Sequence, residues 1–306
     1  MENNISSVHL LGFPGLHSFR IVFFLLLIII YIATICGNLL VISLVSYTMN
    51  LHCPMYFFLM QLTTSDIILS SDIVPNMLLV VLNNGSSITL SACITQLFFF
   101  AYSEASECFL LTAMSYDRYT AICHPLHYES IMSSMVCLKL IILSWILGFS
   151  AAFTQSINIS QLHFCRSNVI DHFFCEMDPL LDLSCSSVFR IKVLALVLCF
   201  PVLMCPFLIV VISYVYIIFT ILRLQSITQR QKAFTTCGSH LLVVSIFYGA
   251  LFSIYLVPET GQSIAIRKIF SILYTVVTPL INPLIYSLRN KDIKEAIRKT
   301  ILSCVS

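Results

Sequence analysis

The sequence predicts an all-α membrane protein, a bundle of seven transmembrane helices followed by a short amphipathic helix. Two observations of composition predict it: 58% of the 306 residues are hydrophobic and only 10% are charged. A soluble domain carries about 25% charged residues, so too few polar side chains remain here to cover a globule in water. The third observation is that apolar stretches long enough to span a bilayer, about 20 residues each, recur along the chain.

Seven such stretches are predicted within residues 21–288, at 21–46, 55–82, 91–122, 137–157, 193–222, 236–257 and 267–288. They contain no two-fold internal repeat of the kind found in many transporters. Residues 1–20 lack the basic start and apolar core of a cleavable signal peptide, and we expect them to form an extracellular tail. Residues 289–306 are expected to form a cytoplasmic amphipathic helix and tail, because Ile293, Ile297 and Ile301 recur every fourth residue between basic side chains.

The orientation follows from the loop charges. An odd number of spans places the two termini on opposite sides of the membrane. With the N-terminus outside, ten Lys or Arg side chains of the loops face the cytoplasm and six face outward, which the positive-inside rule favours. Asn-x-Ser sequons at Asn4, Asn84 and Asn158 then lie on the extracellular side, and Asn4 is the best candidate for glycosylation. The net charge of +2 is too small to indicate nucleic-acid binding.

Most of the thirteen cysteines lie inside the apolar stretches, where a thiol behaves as a small apolar group. Four cysteines are different: Cys93 lies at the outer end of the third stretch, and Cys165, Cys175 and Cys185 lie in the long loop 158–192. An oxidising exterior allows two bridges among them, with three pairings. The sequence by itself does not choose among the three.

Short motifs occur in a definite order along the chain. They are Gly37-Asn38, Pro54 to Leu59, Asp66, Met114 to Tyr128 with Asp117-Arg118-Tyr119 inside it, His172 to Glu176, Ser213-Tyr214, Lys232 to His240, Phe247-Tyr248-Gly249, and Pro279 to Asn290. Each motif is weak alone, but the ordered set is specific. Over nearly its whole length the chain resembles the odorant receptors, a branch of the rhodopsin-like G-protein-coupled receptors. The sixth stretch lacks the tryptophan-proline switch that is usual in rhodopsin-like receptors. No acid lies near Lys232 to pair with Arg118. Both departures are typical of the odorant receptors that the chain resembles.

The resemblance implies a partner, a ligand and a location. The ligand would be a small volatile odorant, and the partner a heterotrimeric G protein of the stimulatory olfactory type, which raises cyclic AMP. The location would be the plasma membrane of sensory-neuron cilia, with lipid around the bundle. The resemblance also implies the bridges Cys93–Cys175 and Cys165–Cys185. We expect no enzymatic activity, because the sequence has no two-histidine metal motif and no Gly-x-Ser-x-Gly elbow.

Seven residues are expected to form the G-protein switch: Asp117, Arg118, Tyr119, Tyr214, Asn282, Pro283 and Tyr286. By resemblance, Asp117 holds Arg118 at rest until the sixth span moves outward and Arg118 contacts the G protein. Pro283 removes a helix hydrogen bond and permits a kink, after which the neighbouring Asn and Tyr side chains exchange polar partners with Tyr214. The alternatives are an arginine that snorkels at a helix end and a proline with a structural role only.

Asp66 and Glu107 lie in the middle of the second and third stretches. A lone carboxylate there costs about 2.5–3.5 kcal/mol on insertion scales, so we expect the two acids to be neutralised or paired. With Asn38 and Asn282 nearby, they could hold an allosteric sodium ion through oxygen ligands, which the resemblance supports. The alternative is a protonated pair within a structural hydrogen-bond network. We expect no other cofactor.

By resemblance, the ligand pocket lies in the outer halves of the third, fifth, sixth and seventh spans. The predicted contact residues are Phe100, Ala101, Glu104, Cys108, Leu198, Cys199, Val202, Tyr248, Leu251, Phe252, Tyr255 and Thr275. They would form an apolar, aromatic cavity with a few hydroxyls, which suits a small odorant. The alternative is that these side chains are ordinary interhelical packing.

Glu104 is unusual, because the resemblance leads us to expect a small or neutral residue at this position. It either pairs with a cationic ligand such as an amine, helped by the aromatic ring of Tyr248 or Tyr255, or is a neutral acid bonded to a neighbouring helix. A non-olfactory amine receptor is therefore the closest alternative function. An ion-coupled transporter that uses the buried acids is a weaker one, given the odd number of spans and the receptor motifs.

Overall fold

The computed structural model describes residues 5–16, 18–256, 264–289 and 293–299. Seven helices in this part of the chain are long and apolar enough to cross a membrane. They are α1 (Arg20–Tyr47), α2 (Pro54–Asn83), α3 (Leu90–Cys123), α4 (Ser134–Ser160), α5 (Phe189–Arg223), α6 (Ile227–Leu256) and α7, which comprises Ile264–Ile272, Leu273–Val277 and Thr278–Arg289. Residues 293–299 form a further helix, α8, so the predicted amphipathic helix is present over these positions.

All seven predicted spans coincide with helices, but several helices are longer than the apolar stretches. The clearest case is α6, which begins at Ile227 rather than at residue 236, and α4 and α5 also begin three to four residues early. Backbone hydrogen bonding continues past the hydrocarbon layer into the interface, where polar side chains are allowed. An apolar pattern detects only the part of a helix that lies in the lipid.

The bundle is organised around α3, which packs against α2, α4, α5 and α6. Gly148 allows α4 to approach closely, since a Cβ atom there would lie 2.9 Å from the backbone nitrogen of Ser106. The outward faces of α1, α4 and α5 expose large apolar side chains such as Ile146, Phe149 and Leu196. Apolar surface on this scale is stable in lipid and not in water.

Two helices contain a wider π-helical turn. In α5 the turn covers Phe200–Met204 and in α7 it covers Leu273–Val277. Each turn ends two residues before a proline, Pro206 or Pro279, whose ring removes a backbone donor. In α7 the hydroxyl of Thr278 donates to the carbonyl of Leu273 at 3.0 Å, which compensates part of the lost hydrogen bonding. Such turns are frequent at functional sites.

A small sheet covers one end of the bundle. Strand β1 (Ser7–Leu10) lies between β2 (Ser86–Thr89), with which it is antiparallel, and β3 (Val169–Ile170), with which it is parallel. Val8 and Leu10, two alternate residues of β1, are fully buried. Residues 7–10 of the expected N-terminal tail are therefore an ordered part of the cover, joined to the loop between α4 and α5.

Candidate ligand cavity and cytoplasmic switch

At the end of the bundle away from the sheet, Asp117 and Arg118 form a buried ion pair. Both Nε and Nη2 of Arg118 donate to Oδ2 of Asp117, at 3.1 and 2.7 Å. The other carboxylate oxygen, Oδ1, accepts a 2.7 Å hydrogen bond from the hydroxyl of Tyr128, which begins the short helix Tyr128–Ile131. Burial, and next the Asp117 carboxylate, raise the pKa of Tyr128, so the hydroxyl remains a donor. We call Asp117, Arg118 and Tyr128 the inner lock.

Tyr119, the third residue of this motif, lies outside the inner lock. Its hydroxyl is 3.2 Å from Nε2 of His124, and its ring packs edge-on against Tyr216 of α5 with centroids 6.1 Å apart. It therefore links α3 to the loop that follows it and to the surface of α5.

Tyr214 pairs with α6 in this conformation. Its hydroxyl lies 2.6 Å from Nδ1 of His240, and the two rings are stacked. Tyr286 of α7 is fully buried, and its hydroxyl has no hydrogen-bond partner among the described residues. The expected exchange of polar partners between Tyr214 and α7 concerns the rearranged receptor, and it stays a prediction.

A buried polar cluster joins α1, α2, α3 and α7 midway along the bundle. The amide of Asn282 donates to both carboxylate oxygens of Asp66 at 3.1 Å. The amide of Asn38 donates to the carbonyl of Pro279 at 3.0 Å, and Pro283 lies against Gly37 of α1. Asn282 thus lies beside the acid of α2, as expected from the sequence, and Pro283 packs against α1.

Oxygen atoms in this cluster are available to a cation. Oε1 of Glu107, Oδ1 of Asn38 and the hydroxyl of Ser103 are buried and accept or donate no hydrogen bond within the described part of the chain. Together with the Asp66 carboxylate they are hard oxygen donors of the kind that bind sodium or calcium. Within the same residues, no group of three His, Cys, Asp or Glu side chains could hold a metal, so a cation site here depends on amide and hydroxyl oxygens.

A cavity of about 350 Å³ lies between the inner cluster and the outer cover. Eight of the predicted contact residues line it: Phe100, Ala101, Glu104, Cys108, Leu198, Cys199, Val202 and Leu251. Helix α4 and the outer loop also contribute, through Ala151, Ala152, Gln155, Glu176, Met177 and Asp178. Most of the wall is apolar, and alanine and cysteine side chains from α3, α4 and α5 leave space within it.

Helix α7 contributes no described side chain to the cavity wall, contrary to the sequence prediction. Tyr274 packs against Phe100 and Phe247, with ring centroids 5.9 and 5.7 Å away. Tyr274 therefore packs against aromatic rings of α3 and α6 and does not line the cavity. The hydroxyl of Thr275 instead donates to the carbonyl of Ser271 within α7 at 2.7 Å.

Tyr248 and Phe252 also lie outside the cavity wall. Both pack against Phe207 of α5, with ring centroids 4.9 and 5.1 Å away, and so join α5 to α6 behind the wall. The side chain of Tyr255 and the whole of Asn4 fall outside the described residues. Ordinary interhelical packing, the alternative considered for the aromatic stripe, therefore describes Tyr248 and Phe252.

The outer end of the cavity is held by disulfides and ion pairs. Cys93 is bonded to Cys175, and Cys165 to Cys185, which are the pairings that the resemblance implied. Beside the first bridge, Oε1 of Gln96 accepts a 3.0 Å hydrogen bond from the backbone of Cys175. The loop between α4 and α5 is thus fixed against the start of α3.

Two basic residues of α7 connect that helix to the same loop. Arg267 lies 3.4 Å from both Glu176 and Asp178. Lys268 lies 2.6 Å from Asp171 and donates to the carbonyl of Gly12 at 2.7 Å. We call these five charged residues, Asp171, Glu176, Asp178, Arg267 and Lys268, the outer clasp.

His172 lies buried beneath the outer clasp. Burial first, and then the positive charges of Lys268 and Arg267, lower its pKa to about 3. The Glu176 carboxylate is 3.6 Å from its ring but is engaged by Arg267. His172 is therefore neutral at pH 7 and packs as an aromatic ring, 4.7 Å from both Phe173 and Phe174.

Sequence reasoning missed three positioning residues, Tyr128, His240 and Gln96. Tyr128 and His240 each end a motif that the sequence analysis singled out, but a motif does not state which side chain its last residue contacts. Gln96 carries a weaker signal, a buried amide three residues after Cys93 on the same side of α3. Tyr128 contacts the end of α3, His240 joins α6 to Tyr214 of α5, and Gln96 joins α3 to the outer loop.

The geometry defines a class of protein. Seven membrane-crossing helices enclose a small cavity toward one end, and a buried Asp-Arg pair on α3 closes the other end. This is the arrangement of a G-protein-coupled receptor, a multi-pass membrane protein and not an enzyme.

Comparisons with known proteins give the family. A family model described as olfactory receptor matches residues 27–304. The chain is 45% identical to human olfactory receptor 11L1, over 98% of this chain and 93% of that protein. It is 43% identical to rat olfactory receptor 1468, over 97% of this chain and 95% of that protein, and 46% identical to human olfactory receptor 5G3, over 92% and 90%. The chain belongs to the olfactory receptor family, and it is an odorant-sensing G-protein-coupled receptor.

Proposed function

We propose that this receptor binds a small volatile ligand in the 350 Å³ cavity and activates a stimulatory, olfactory-type G protein that raises cyclic AMP. The observation that carries the proposal is that α3 lines the cavity with Glu104 and Cys108 and carries Asp117 and Arg118 at its other end. A ligand that fits better when α3 and α6 are rearranged favours that arrangement through its differential affinity alone.

The side-chain contacts support a sequence of events at the inner end. At rest, Arg118 is 9% exposed and is held by Asp117, so it is not available to a partner. The contact between Tyr214 and His240 holds α5 against α6. Outward movement of α6 would break that contact and open the surface beside Arg118, where a G protein would dock.

The test measures cyclic AMP in cells that express the receptor with an olfactory-type stimulatory G protein, challenged with a panel of volatiles. Arg118→Ala is expected to abolish the response at equal surface expression. Arg166→Ala, which removes an exposed arginine of the outer loop, is the matched control and should leave it intact. Loss of the response in both variants, or in neither, would contradict the assigned role of Arg118.

We also propose that the receptor lies in the plasma membrane of sensory cilia with the sheet and both disulfides outside, because disulfides form and persist in an oxidising exterior. In that orientation Asn4 and Asn84 are the glycosylation candidates. Asn84 is exposed in the turn after α2, whereas the amide of Asn158 lies within α4 and donates to Thr154 at 2.7 Å. A glycosidase-induced mobility shift that persists in Asn158→Gln and disappears in the Asn4→Gln, Asn84→Gln double variant is expected.

A sodium ion is the second ligand we propose, bound at Asp66 and Glu107 with Asn38 as a further oxygen donor. Its positive charge would offset part of the negative charge of the two acids, which is the chemistry that it would supply there. The test compares thermal unfolding of the purified receptor in sodium and choline chloride. Sodium is expected to raise the midpoint for the wild type and for Asp72→Asn, but not for Asp66→Asn. Equal midpoints for the wild type in the two salts would exclude the site.

A further inference from the structure

Glu104 stands out among the residues of the cavity. It lies on α3, one turn to the outer side of Glu107, and its neighbours on the wall include Ala101, Ala105 and Cys108. No hydrogen bond or ion pair to Glu104 occurs within the described ranges, although Asp66, Asp117 and the clasp acids all have a partner there. A carboxyl group is thus placed at the edge of an apolar space, and no described side chain pairs with it.

The other charges at the cavity do not compensate Glu104. Glu176 and Asp178 line the outer part of the cavity and are both within 3.4 Å of Arg267. Lys192 lines the mouth, where it is exposed, and makes no ion pair with Glu104. Among the described residues that line the cavity, Glu104 is therefore the acid with no ion-pair partner.

Burial of an uncompensated carboxylate is costly, whereas a cation bound beside it removes much of that cost. The small side chains next to Glu104 leave room for a ligand atom rather than for a protein donor. Phe100, one turn above Glu104, is the aromatic residue on the wall, and its ring face can stabilise an alkylammonium group. Tyr248, which the sequence offered for this role, faces Phe207 instead.

From this arrangement we propose that the receptor is selective for cationic ligands, specifically small aliphatic amines in their protonated form. The ammonium group would donate to the Glu104 carboxylate, and the alkyl chain would lie among the apolar side chains of α4 and α5. The inference rests on the proposed function of the cavity as the ligand site. It adds the chemical class of the ligand and the residue that selects it.

The first experiment compares linear primary amines of four to ten carbons with the alcohols of the same lengths, using the cyclic AMP assay. At least one amine is expected to be more potent than its matched alcohol. Glu104→Gln keeps the shape of the side chain and removes its charge, and it should lower amine potency about 10- to 100-fold, as expected for loss of a charged hydrogen bond. Glu104→Asp should retain the preference for amines. Asp72→Asn, which neutralises an acid of α2 that does not line the cavity, is the control and should leave amine potency unchanged.

The second experiment measures binding without signalling. Thermal unfolding of the purified receptor is followed with each amine and each alcohol, for the wild type and Glu104→Gln. Stabilisation by an amine that is lost in Glu104→Gln supports the inference even if no G protein is activated. Such a result would contradict the proposed activation of a G protein and would still support small amines as the ligand class.

Two results would overturn the inference while leaving the proposed function intact. One is a response to alcohols or other neutral volatiles with none to amines. The other is an amine response of equal potency in the wild type and Glu104→Gln. Failure of every amine to stabilise the wild type would also reject amine selectivity.

Discussion

The hydroxyl of Tyr128 donates a 2.7 Å hydrogen bond to the carboxylate of Asp117. Arg118 occupies the other oxygen of that carboxylate, so Asp117 connects the end of α3 to the short helix that follows it. The acid that pairs with Arg118 comes from its immediate neighbour in the chain, and an acid on α6 is not required to hold the inner lock. This arrangement accounts for the lack of an acid beside Lys232 in the sequence.

Removal of the Tyr128 hydroxyl should raise ligand-independent signalling. A hydrogen bond to a charged group contributes about 1.5–3 kcal/mol, and its loss in Tyr128→Phe would shift the ratio of resting to active receptor about 10- to 100-fold. Basal cyclic AMP, normalised to surface expression, should rise several-fold. Tyr116→Phe, which removes a hydroxyl on the exposed face of α3, is the control. Equal basal signalling in the two variants would argue against the role of Tyr128.

Tyr214→Phe should destabilise the resting bundle. It removes the partner of the buried His240 ring, and an unsatisfied buried polar group costs about 1–3 kcal/mol. The thermal unfolding midpoint in detergent should fall by several degrees. Tyr216→Phe, two residues along on the exposed face of α5, should have little effect. A fall of the same size in both variants would show that the α5–α6 contact is not what Tyr214 stabilises.

Stability should decrease in acid because of His172. Its pKa is lowered from an ordinary value of 6.5 to about 3, so the unfolded chain binds a proton that the folded protein does not. The contribution of neutral His172 to the free energy of unfolding is complete above about pH 6.5 and is lost as the pH falls towards 3. At pH 5 about 2 kcal/mol of it has been lost. Unfolding midpoints at pH 7 and pH 5 measure the loss.

His172→Phe should reduce that difference between pH 7 and pH 5, because a phenyl ring can stack on Phe173 and Phe174 without titrating. The exposed His127, on the opposite side of the bundle, provides the control His127→Gln, which should retain the full loss. If His172→Phe were as acid-sensitive as the wild type, another group would be responsible.

Gly148→Ala should separate α3 from α4. The added Cβ would meet backbone atoms of Ser106 at 2.9 and 3.1 Å, which cannot rotate away, and overpacking of this kind costs about 1–3 kcal/mol. Gly249→Ala is the matched control, because no atom lies within 4 Å of a Cβ there. It should be neutral or stabilising by up to about 1 kcal/mol, since alanine favours the helix. Equal unfolding midpoints for the two variants would contradict the close packing.

Much of the site could be predicted from sequence because it rests on chemistry that is local or strongly patterned. The Asp117–Arg118 pair is adjacent in the chain, and the Asp66–Asn282 contact joins two polar residues within apolar spans, where few other partners exist. The cavity residues of α3 and α5 follow from counting turns along a helix. Contacts such as Tyr214 with His240 could not be predicted in this way, because they depend on the rotation and separation of two helices.

The sequence by itself determined the membrane fold, the order of the helices, the family and the acids that stand out, because a bilayer demands long apolar runs and makes each buried charge conspicuous. Only the tertiary structure decided which side chains meet. It brought α4 and the outer loop to the cavity in place of α7, paired Tyr128 with Asp117, and left Glu104 facing apolar space. Helix packing at ångström scale determines these contacts, and an apolar pattern contains no information on the rotation of one helix against another.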